Sequence, residues 1–289
     1  MRNTSIALGF FDGVHIAHQK IITSAIKFAE VNGISPVALT FDKSPLEILC
    51  PDKVSYLTSA EQKKELIETF GAKAEFLPLS KELLSMSPEE FVKEILVDKY
   101  KIAYAVCGYN YRFGKNGIGD TATLIALGEK YSFSVCVCDK VSAFGEDVSS
   151  SRIRELIADG NISLANKLLG HNFSVKGKVC EGKHLGHKLG FPTANVFFPE
   201  NSATPLCGVY QTMVTVDGNK FPAITNVGIN PTVGGEKMRS ETYIPDFSED
   251  IYVEEIKIEF IDFIRKETKF DSVELLKKQI QEDVKSIQK

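Results

Sequence analysis

SIALGFFDGVHIAHQKIITSAIKFAEVNG, residues 5–33, contains the pattern that decides the fold of the first half of this chain. An apolar run of strand length is broken at Asp12-Gly13, and a segment with helical periodicity follows and ends at Gly33. The stretch therefore predicts a buried strand, a turn, and a helix that packs back onto the strand.

The same strand–helix alternation continues as far as residue 138. Further apolar runs of strand length are PVALTF, AEFLPL, IAYAVCG and FSVCVC. Helical segments lie between them, and two begin with typical signals: Ser59 with Gln62 three residues later, and Ser87 followed by Pro88. Repeated units of this kind predict an α/β domain, a parallel sheet with helices on both faces. Ligands of such sheets bind beyond the carboxyl ends of the strands, here at Gly9–His18, Thr40–Asp42 and Gly108–Gly114.

The pattern changes after two short predicted helices in residues 149–170. From Phe173 onward the segments are short, rich in β-formers and separated by Gly and Pro, and Asp217-Gly218 between two apolar runs predicts a hairpin. Several strands at this spacing favour a small antiparallel barrel, followed by a C-terminal helix in SVELLKKQIQEDVKSIQ. We place the domain boundary so that residues 1–169 and 170–289 form separate domains.

Composition limits the classes of function. The 289 residues carry a net charge of −4, so no global basic field favours nucleic acid or an anionic membrane. No apolar run reaches the roughly 20 residues that span a bilayer, and we expect no signal peptide because no basic segment followed by a long apolar run lies before the first strand. None of the six cysteines forms a C-x-x-C pair, which makes a zinc site improbable. We expect a cytoplasmic protein that binds neither nucleic acid nor membrane.

The first motif is GFFDGVHIAH, Gly9–His18, at the predicted strand–helix turn. Free N–H groups at a helix start suit phosphate, and His15 and His18, three residues apart, share one helical face. Either imidazole could donate to phosphate oxygens as charge builds up. A polar helix cap with two surface histidines, or a metal bound by the pair, would be the alternatives. The residues of the turn predicted to bind the nucleotide are Gly9, Phe10, Asp12 and Gly13.

The second motif is GYNYRFGKNG, Gly108–Gly117, which follows the IAYAVC strand. Aromatic rings with Asn110 and Arg112 at the carboxyl end of a strand could frame a flat ring and its phosphate, and Phe113 is included in this group. An aromatic-rich loop that packs on the core is the competing interpretation.

The third motif is SSSRIR, Ser149–Arg154. Hydroxyls of Ser149, Ser150 and Ser151 precede Arg152 and Arg154 in the first turns of a helix. Arginine at a helix N-terminus is electrostatically unfavourable unless an anion compensates, so the motif favours polyphosphate binding. A helix cap with solvated charges is the alternative.

The fourth motif is EGKHLGHKLGFPTAN, residues 181–195. GKVCEGKH is a near match to the Walker A pattern, but His184 stands where Ser or Thr is needed and no helix follows, so we reject a P-loop. The spaced glycines can still wrap a phosphate with backbone N–H groups. Thr193 and Asn195 offer a hydroxyl and a carbonyl oxygen, ligands suited to Mg²⁺. A flexible loop leading into a strand is the alternative. The residues of this loop predicted to bind the nucleotide are Gly182, Lys183, Gly186, Lys188, Gly190, Phe191 and Pro192.

Taken together, these motifs resemble the prokaryotic bifunctional riboflavin kinase/FAD synthetase family over nearly the whole chain. GFPTAN, RSETYIPDF and FIRKETKF are similar to its kinase segments, and GFFDGVHIAH, YNYRFG and SSSRIR to its adenylyltransferase segments. The resemblance implies a Rossmann-like nucleotidyltransferase domain and a β-barrel riboflavin kinase domain. It implies phosphorylation of riboflavin to FMN by ATP with Mg²⁺, and then adenylylation of FMN to FAD by a second ATP.

The resemblance also implies residue roles. Glu241 would be the general base for the riboflavin hydroxyl, Thr193 and Asn195 the Mg-ATP ligands, and Arg265 would lie near flavin and nucleotide. His15, His18 and Arg154 would act in adenylyl transfer. We expect a monomer or a weak homo-oligomer.

Three positions depart from the family pattern: Ala17 replaces a usual Gly, Ser151 a usual Thr, and Ser44 a usual His. The loss of a phosphate donor at Ser44 leaves open a riboflavin kinase with a weakened first domain. A non-catalytic flavin-binding regulatory protein is the alternative from another class.

Overall fold

A computed structural model describes residues 2–44, 47, 54–181, 186, 190–232 and 235–287. The chain divides into two compact units, Met1–Ser150 and Ser151–Lys289. Each unit is described by itself, and the domain boundary after Leu169 stays a prediction.

The first unit contains a parallel sheet of five strands in the order β3-β2-β1-β4-β5. The strands are β1 (Thr4–Leu8), β2 (Ser35–Phe41), β3 (Lys73–Leu77), β4 (Ile102–Gly108) and β5 (Ser134–Cys138). A two-stranded hairpin follows, β6 (Ser142–Ala143) with β7 (Glu146–Asp147). The predicted α/β architecture is therefore confirmed.

The helices of this unit connect successive strands. They are α1 (Ile16–Asn32), α2 (Ala60–Thr69), α3 (Lys81–Ser85), α4 (Pro88–Glu90, continued by a π-helix over Phe91–Lys99) and α5 (Thr121–Tyr131). Single 3-10 turns occupy Asp12–Val14 and Lys115–Gly117. Ser59 and Gln62 form the predicted capping box at the start of α2. The π-helical segment has no counterpart in the sequence prediction.

Two apolar layers cover this sheet because successive strand side chains point to opposite faces. Ile6 and Leu8 belong to one buried cluster, which α4 joins through Phe91 and Leu96. Ala7 belongs to the other cluster, with residues of α1 and α2. Burial on both faces explains why the strands read as continuous apolar runs.

The second unit contains six antiparallel strands in the order β8-β13-β10-β11-β12-β9. They are β8 (Ser174–Lys178), β9 (Thr193–Phe197), β10 (Gly208–Val216), β11 (Asn219–Thr232), β12 (Gly235–Tyr243) and β13 (Glu255–Lys266). The helices are α6 (Ser150–Ala158), which starts at the last residue of the first unit, α7 (Ile162–Leu169) and α8 (Val273–Ile287). The predicted hairpin is present, with Val216 paired to Asn219 across Asp217-Gly218.

The six strands nearly close into a barrel. The edge strands β8 and β9 approach each other so closely at Gly177 that a Cβ there would lie 2.5 Å from Val196 Cγ1. An isolated bridge between Cys180 and Asn195 continues this contact. α7 is held to β13 by Asn166, which donates to the Phe260 carbonyl at 2.8 Å. None of the helices in the described parts of either unit has the length and apolar character needed to cross a membrane.

Candidate functional site

Two adjoining cavities open at the carboxyl ends of the parallel strands. One measures about 290 Å³ and is lined by residues that include Gly9, Phe10, Asn110 and Arg112. The other measures about 400 Å³, and its lining includes His15, Lys140, Ser149 and Ser150. His18 lines both cavities. The structure thus brings the first two sequence motifs together at the edge of the sheet where ligands of such folds bind.

The histidine pair lies where α1 begins. His15 is the N-cap of the helix, and its Nδ1 accepts a hydrogen bond from the His18 backbone N–H at 3.4 Å. The two rings stack with centroids 3.6 Å apart, and Phe11 meets His18 edge-on. Neutral His15 therefore carries its proton on Nε2. His15 is buried, so the alternative of two surface histidines does not describe this pair.

The environment of His18 favours the uncharged ring. Burial, then the neighbouring His15, then Lys63 lower the pKa of His18 well below its usual value. Its Nδ1 is buried and makes no hydrogen bond within the described part of the chain. A neutral imidazole with an unused nitrogen at a cavity wall can donate to or accept from a bound ligand. The described residues include no group of three His, Cys, Asp or Glu that could hold a metal ion.

Buried polar contacts hold the turn before α1. The Asp12 carboxylate accepts from the backbone N–H of Leu57 at 2.9 Å, and Gly13 N–H donates to Thr58 Oγ1 at 3.1 Å. Ser150 Oγ donates to the Asp12 carbonyl at 2.9 Å. Asp12 is therefore a structural support of the turn as well as a predicted binding residue.

The other residues predicted for the first site do not all line the two cavities. Phe113 packs in the hydrophobic core against Phe91 and Tyr111 and does not line either cavity, because its side chain follows the apolar face of the loop. Arg112 lies 4.0 Å from Asp120, with both side chains largely exposed. The unit that begins at Ser151 contains Ser151, Arg152 and Arg154, whose part in adenylyl transfer stays a prediction.

Two of the departures from the family pattern lie in this unit. Ser44 is buried, and its backbone N–H donates to the Tyr56 hydroxyl at 2.9 Å. Ala17 is half-buried in the first turn of α1 and lines the same cavity as His15.

One buried charged residue beside this site was missed by the sequence analysis. Lys63 on α2 is only 2% exposed, and its ammonium donates to the carbonyls of Phe10 at 3.0 Å and Phe41 at 3.1 Å. The sequence does contain a signal for the burial of Lys63, because this residue lies one helical turn before the buried Ile67, on the apolar face of the helix.

The barrel unit contains two further cavities that share Thr193. The larger measures about 540 Å³ and is lined by residues that include Gly186, Phe191, Glu241 and Arg265. The smaller measures about 280 Å³ and is lined by Pro192, Thr193 and the segment Phe247–Tyr252, among others. Thr193 contributes to the walls of both cavities, so a group held at its hydroxyl would be within reach of ligands in each.

Strand pairing places the predicted kinase residues side by side. Glu241 on β12 lies opposite Asn195 on β9 and opposite Asn226 on β11. The Glu241 carboxylate forms an ion pair with Arg239, whose side chain is mostly buried. Asn195 is buried, and its Nδ2 donates to the Thr193 carbonyl at 3.2 Å. The structure therefore brings Thr193, Asn195 and Glu241 together, although Asn195 lines neither cavity.

The glycine loop is described only in part. Gly186 accepts a backbone hydrogen bond from Phe191 at 2.9 Å, and a Cβ on Gly186 would lie 2.3 Å from the Phe191 carbonyl oxygen. The close approach leaves no space for a side chain at Gly186. Gly190 has a φ of +83°, which favours glycine. Gly182, Lys183 and Lys188 lie outside the described residues.

Arg265 is held in an extensive salt bridge. Its Nε lies 3.1 Å from both Asp283 carboxylate oxygens, and its Nη2 lies 2.8 Å from Oδ2. Asp283 is 4% exposed and also accepts from Gln279. Sequence analysis missed Asp283, which follows Leu276 and Ile280 on the face of α8 that lines the larger cavity.

Comparison with known proteins assigns each half of the chain to a family. Residues 1–152 match the FAD synthetase family, and residues 169–289 match the riboflavin kinase family. A bifunctional riboflavin kinase/FMN adenylyltransferase of Listeria monocytogenes is 36% identical over 97% of this chain and 90% of its own length. Proteins of the same name from Bacillus subtilis and Escherichia coli are 34% and 30% identical over 96% of this chain, and over 89% and 90% of their own lengths.

A solved structure is similar over the whole chain. It is titled a macrolide-efflux protein from Streptococcus pneumoniae, and it superposes with a TM-score of 0.90 at 31% identity, covering 100% of this chain and 95% of its own. Each half of the chain matches a family model, and the relatives match over nearly the whole chain. This chain therefore belongs to the bifunctional riboflavin kinase/FMN adenylyltransferase family.

Proposed function

We propose that the chain makes FAD in two steps, one in each unit. The barrel unit phosphorylates riboflavin with ATP to give FMN and ADP. The α/β unit joins FMN to the AMP part of a second ATP and releases pyrophosphate. The observation that carries the proposal is the pair of sites: two cavities meeting at Thr193 in one unit, and a histidine pair at the carboxyl edge of a parallel sheet in the other.

In the kinase step, the larger barrel cavity holds the flavin. Its volume of about 540 Å³ lies within the usual range for small-molecule pockets, and its wall combines Phe191 and Tyr243 with the charged Glu241. The smaller cavity on the other side of Thr193 holds the nucleotide. This arrangement puts the phosphoryl donor and the flavin hydroxyl on either side of one residue, which is the positioning that phosphoryl transfer requires.

Glu241 acts as the general base. The riboflavin 5′-oxygen attacks the γ-phosphorus of ATP, the bond from that phosphorus to the β–γ bridging oxygen breaks, and ADP leaves. The hydroxyl proton passes to the Glu241 carboxylate. Arg239 orients this carboxylate through their ion pair.

Thr193 and Asn195 fit the donor set of a magnesium ion. The donor half of the Asn195 amide is engaged by the Thr193 carbonyl, so the amide oxygen and the Thr193 hydroxyl are the atoms suited to a hard cation. Bound Mg²⁺ would neutralise charge on the phosphates of ATP.

In the adenylyl step, an FMN phosphate oxygen attacks the α-phosphorus of ATP, and the bond to the bridging oxygen of the leaving pyrophosphate breaks. The stacked His15 and His18 donate to phosphate oxygens on which charge develops. Ser149 and Ser150 offer hydroxyls from the same cavity wall. Arg152 and Arg154 are predicted to act in the same step, and the enzyme is a monomer or weak homo-oligomer.

Separation of flavins tests the proposal. The purified protein is incubated with riboflavin, ATP and Mg²⁺, and the products are separated by chromatography. FMN followed by FAD is expected, and FMN supplied directly should give FAD. FMN without any FAD would restrict the activity to the kinase, and unchanged riboflavin would contradict the proposal.

A further inference from the structure

The turn that carries the histidine pair has an unusual backbone. Phe11 has a φ of 54° and Val14 a φ of 41°, values that L side chains rarely adopt and that are strained for a branched residue such as valine. Such conformations persist only where surrounding contacts over-determine them. The turn therefore depends on side chains from other elements for its shape.

Lys63 provides the support at the start of this turn. Its ammonium, on α2, donates to the Phe10 carbonyl after β1 and to the Phe41 carbonyl at the end of β2. Thr40 Oγ1 donates to the same Phe10 carbonyl at 2.8 Å. One buried cation thus joins the carboxyl ends of two neighbouring strands, and Phe10 in turn lines the cavity of about 290 Å³ at this edge of the sheet.

The charged groups around Lys63 come from three other elements. Asp12 in the turn and Asp42 after β2 favour the charged form of Lys63. The Lys63 charge in turn disfavours the charged form of His18 on α1. The faces of Phe10 and Phe76 lie 4.0 Å and 5.6 Å from the ammonium. Burial outweighs the two carboxylates and lowers the pKa of Lys63 to about 8, so the residue is charged at pH 7.

The lowered pKa of Lys63 has a consequence for folding stability. The folded-state pKa of Lys63 lies below the usual lysine value, so the buried ammonium costs folding stability; this cost is full below about pH 8 and is relieved as the pH rises toward the usual lysine pKa. A residue kept only for stability would not carry that cost, since an apolar side chain of similar size fills a buried position without it.

We propose that Lys63 is a positioning residue for adenylyl transfer: its ammonium fixes the Phe10–His15 turn against β2. Its charge adds to burial and to the neighbouring His15 in disfavouring a charge on His18. The proposal rests on the adenylyl-transfer function proposed above. It accounts for a buried cation whose ammonium donates to two backbone carbonyls at the edge of the site.

The first test measures the histidines directly. In full-length protein, imidazole nitrogen resonances are followed by NMR against pH in the wild type, in Lys63→Met, and in Lys64→Met as a control on the exposed side of α2. Lys63→Met should raise the pKa of His18, and Lys64→Met should leave it unchanged. An unchanged His18 pKa in Lys63→Met would overturn the electrostatic part of the proposal.

The second test follows FAD formation from FMN and ATP against pH, at saturating substrate. Lys63→Met should lower the rate by about tenfold to a hundredfold because the turn is misplaced, while thermal unfolding changes little and Lys64→Met matches the wild type. A rate within twofold of wild type, or a loss of activity matched by a large loss of stability, would overturn the positioning role.

Lys63→Arg is a second variant that keeps the proposal testable if Lys63→Met does not fold. Arginine stays charged at every pH used, so FAD formation that falls above about pH 8 in the wild type should persist in Lys63→Arg. The same alkaline fall in both proteins would overturn the proposal. A wild type that forms no FAD at all would contradict the proposed function instead, and the NMR measurement would still decide the electrostatic coupling.

Discussion

The salt bridge between Arg265 and Asp283 attaches the C-terminal helix α8 to β13. We predict that Asp283→Asn weakens both the barrel unit and its proposed flavin site. Asp283 is buried, accepts three contacts from the Arg265 guanidinium, and also accepts from Gln279. The substitution keeps size but removes the charge. Leu276 and Ile280 on the same helix line the larger barrel cavity, so a loosened helix opens one wall of that cavity.

The magnitude follows from the burial of the two partners. Breaking a fully buried pair costs about 3–5 kcal/mol, because the remaining charge is left uncompensated. The Arg265 side chain is 22% exposed and can regain some water, so we expect a loss of about 2–3 kcal/mol. For a unit of this size that corresponds to a fall of roughly 6–12 °C in the unfolding temperature. We expect the KM for riboflavin to rise about tenfold, the change that ~1.4 kcal/mol produces.

Calorimetry and riboflavin kinase assays on the full chain provide the measurements. Glu282→Gln, the exposed neighbour on the same helix, is the control and should match the wild type in both. FAD formation from supplied FMN should be normal in both variants, because that reaction uses the other unit. An Asp283→Asn protein with wild-type stability and an unchanged KM for riboflavin would refute the reasoning.

The remaining predictions concern the reacting groups and the boundary. Glu241→Gln should lower the riboflavin kinase rate by about 10²–10⁴-fold with near-normal binding of riboflavin, and an equal loss of FAD formation from FMN would argue against a role as base. His18→Ala should reduce conversion of FMN to FAD by about 10²–10³-fold and leave riboflavin phosphorylation intact. A rate of FAD formation equal to that of the wild type would show that His18 takes no part in this step. Gly186→Ala should abolish most kinase activity, since its Cβ would lie 2.3 Å from the Phe191 carbonyl oxygen, and wild-type FMN formation would contradict this. A fragment of residues 170–289 should still form FMN but unfold at lower temperature than residues 151–289, because it lacks α7 and the hydrogen bond from Asn166 to Phe260; equal unfolding temperatures would show that α7 contributes no stability.

Local patterns predicted those features that depend on neighbouring residues. A strand within residues 5–11, the capping box at Ser59 and the hairpin at Asp217-Gly218 were all predicted, and the structure has the strand at Thr4–Leu8. Each of these signals comes from residues a few positions apart. The π-helical hydrogen bonding over Phe91–Lys99 was not predicted, because the same amphipathic pattern suits a regular α-helix.

The candidate sites were predicted in part for the same reason. Gly9–His18 and the Thr193–Asn195 segment each contain their chemistry within a short stretch, so the types of residue and their spacing pointed to phosphate and to a cation. Phe113 shows where this fails: its motif did not distinguish a ring that faces a ligand from one that packs in the core, and the structure places it in the core.

By itself the sequence determined the order of strands and helices, the change from a parallel sheet to a small barrel, and the short motifs that are predicted to bind phosphate. Only the tertiary structure decided that Lys63 reaches the carbonyls of Phe10 and Phe41, and that Asp283 pairs with Arg265. Lys63 is separated from Phe10 by 53 residues, and Asp283 from Arg265 by 18. The physical reason is burial: a charged side chain is expected at the surface unless a partner compensates it, and a partner distant in the chain becomes visible only after folding.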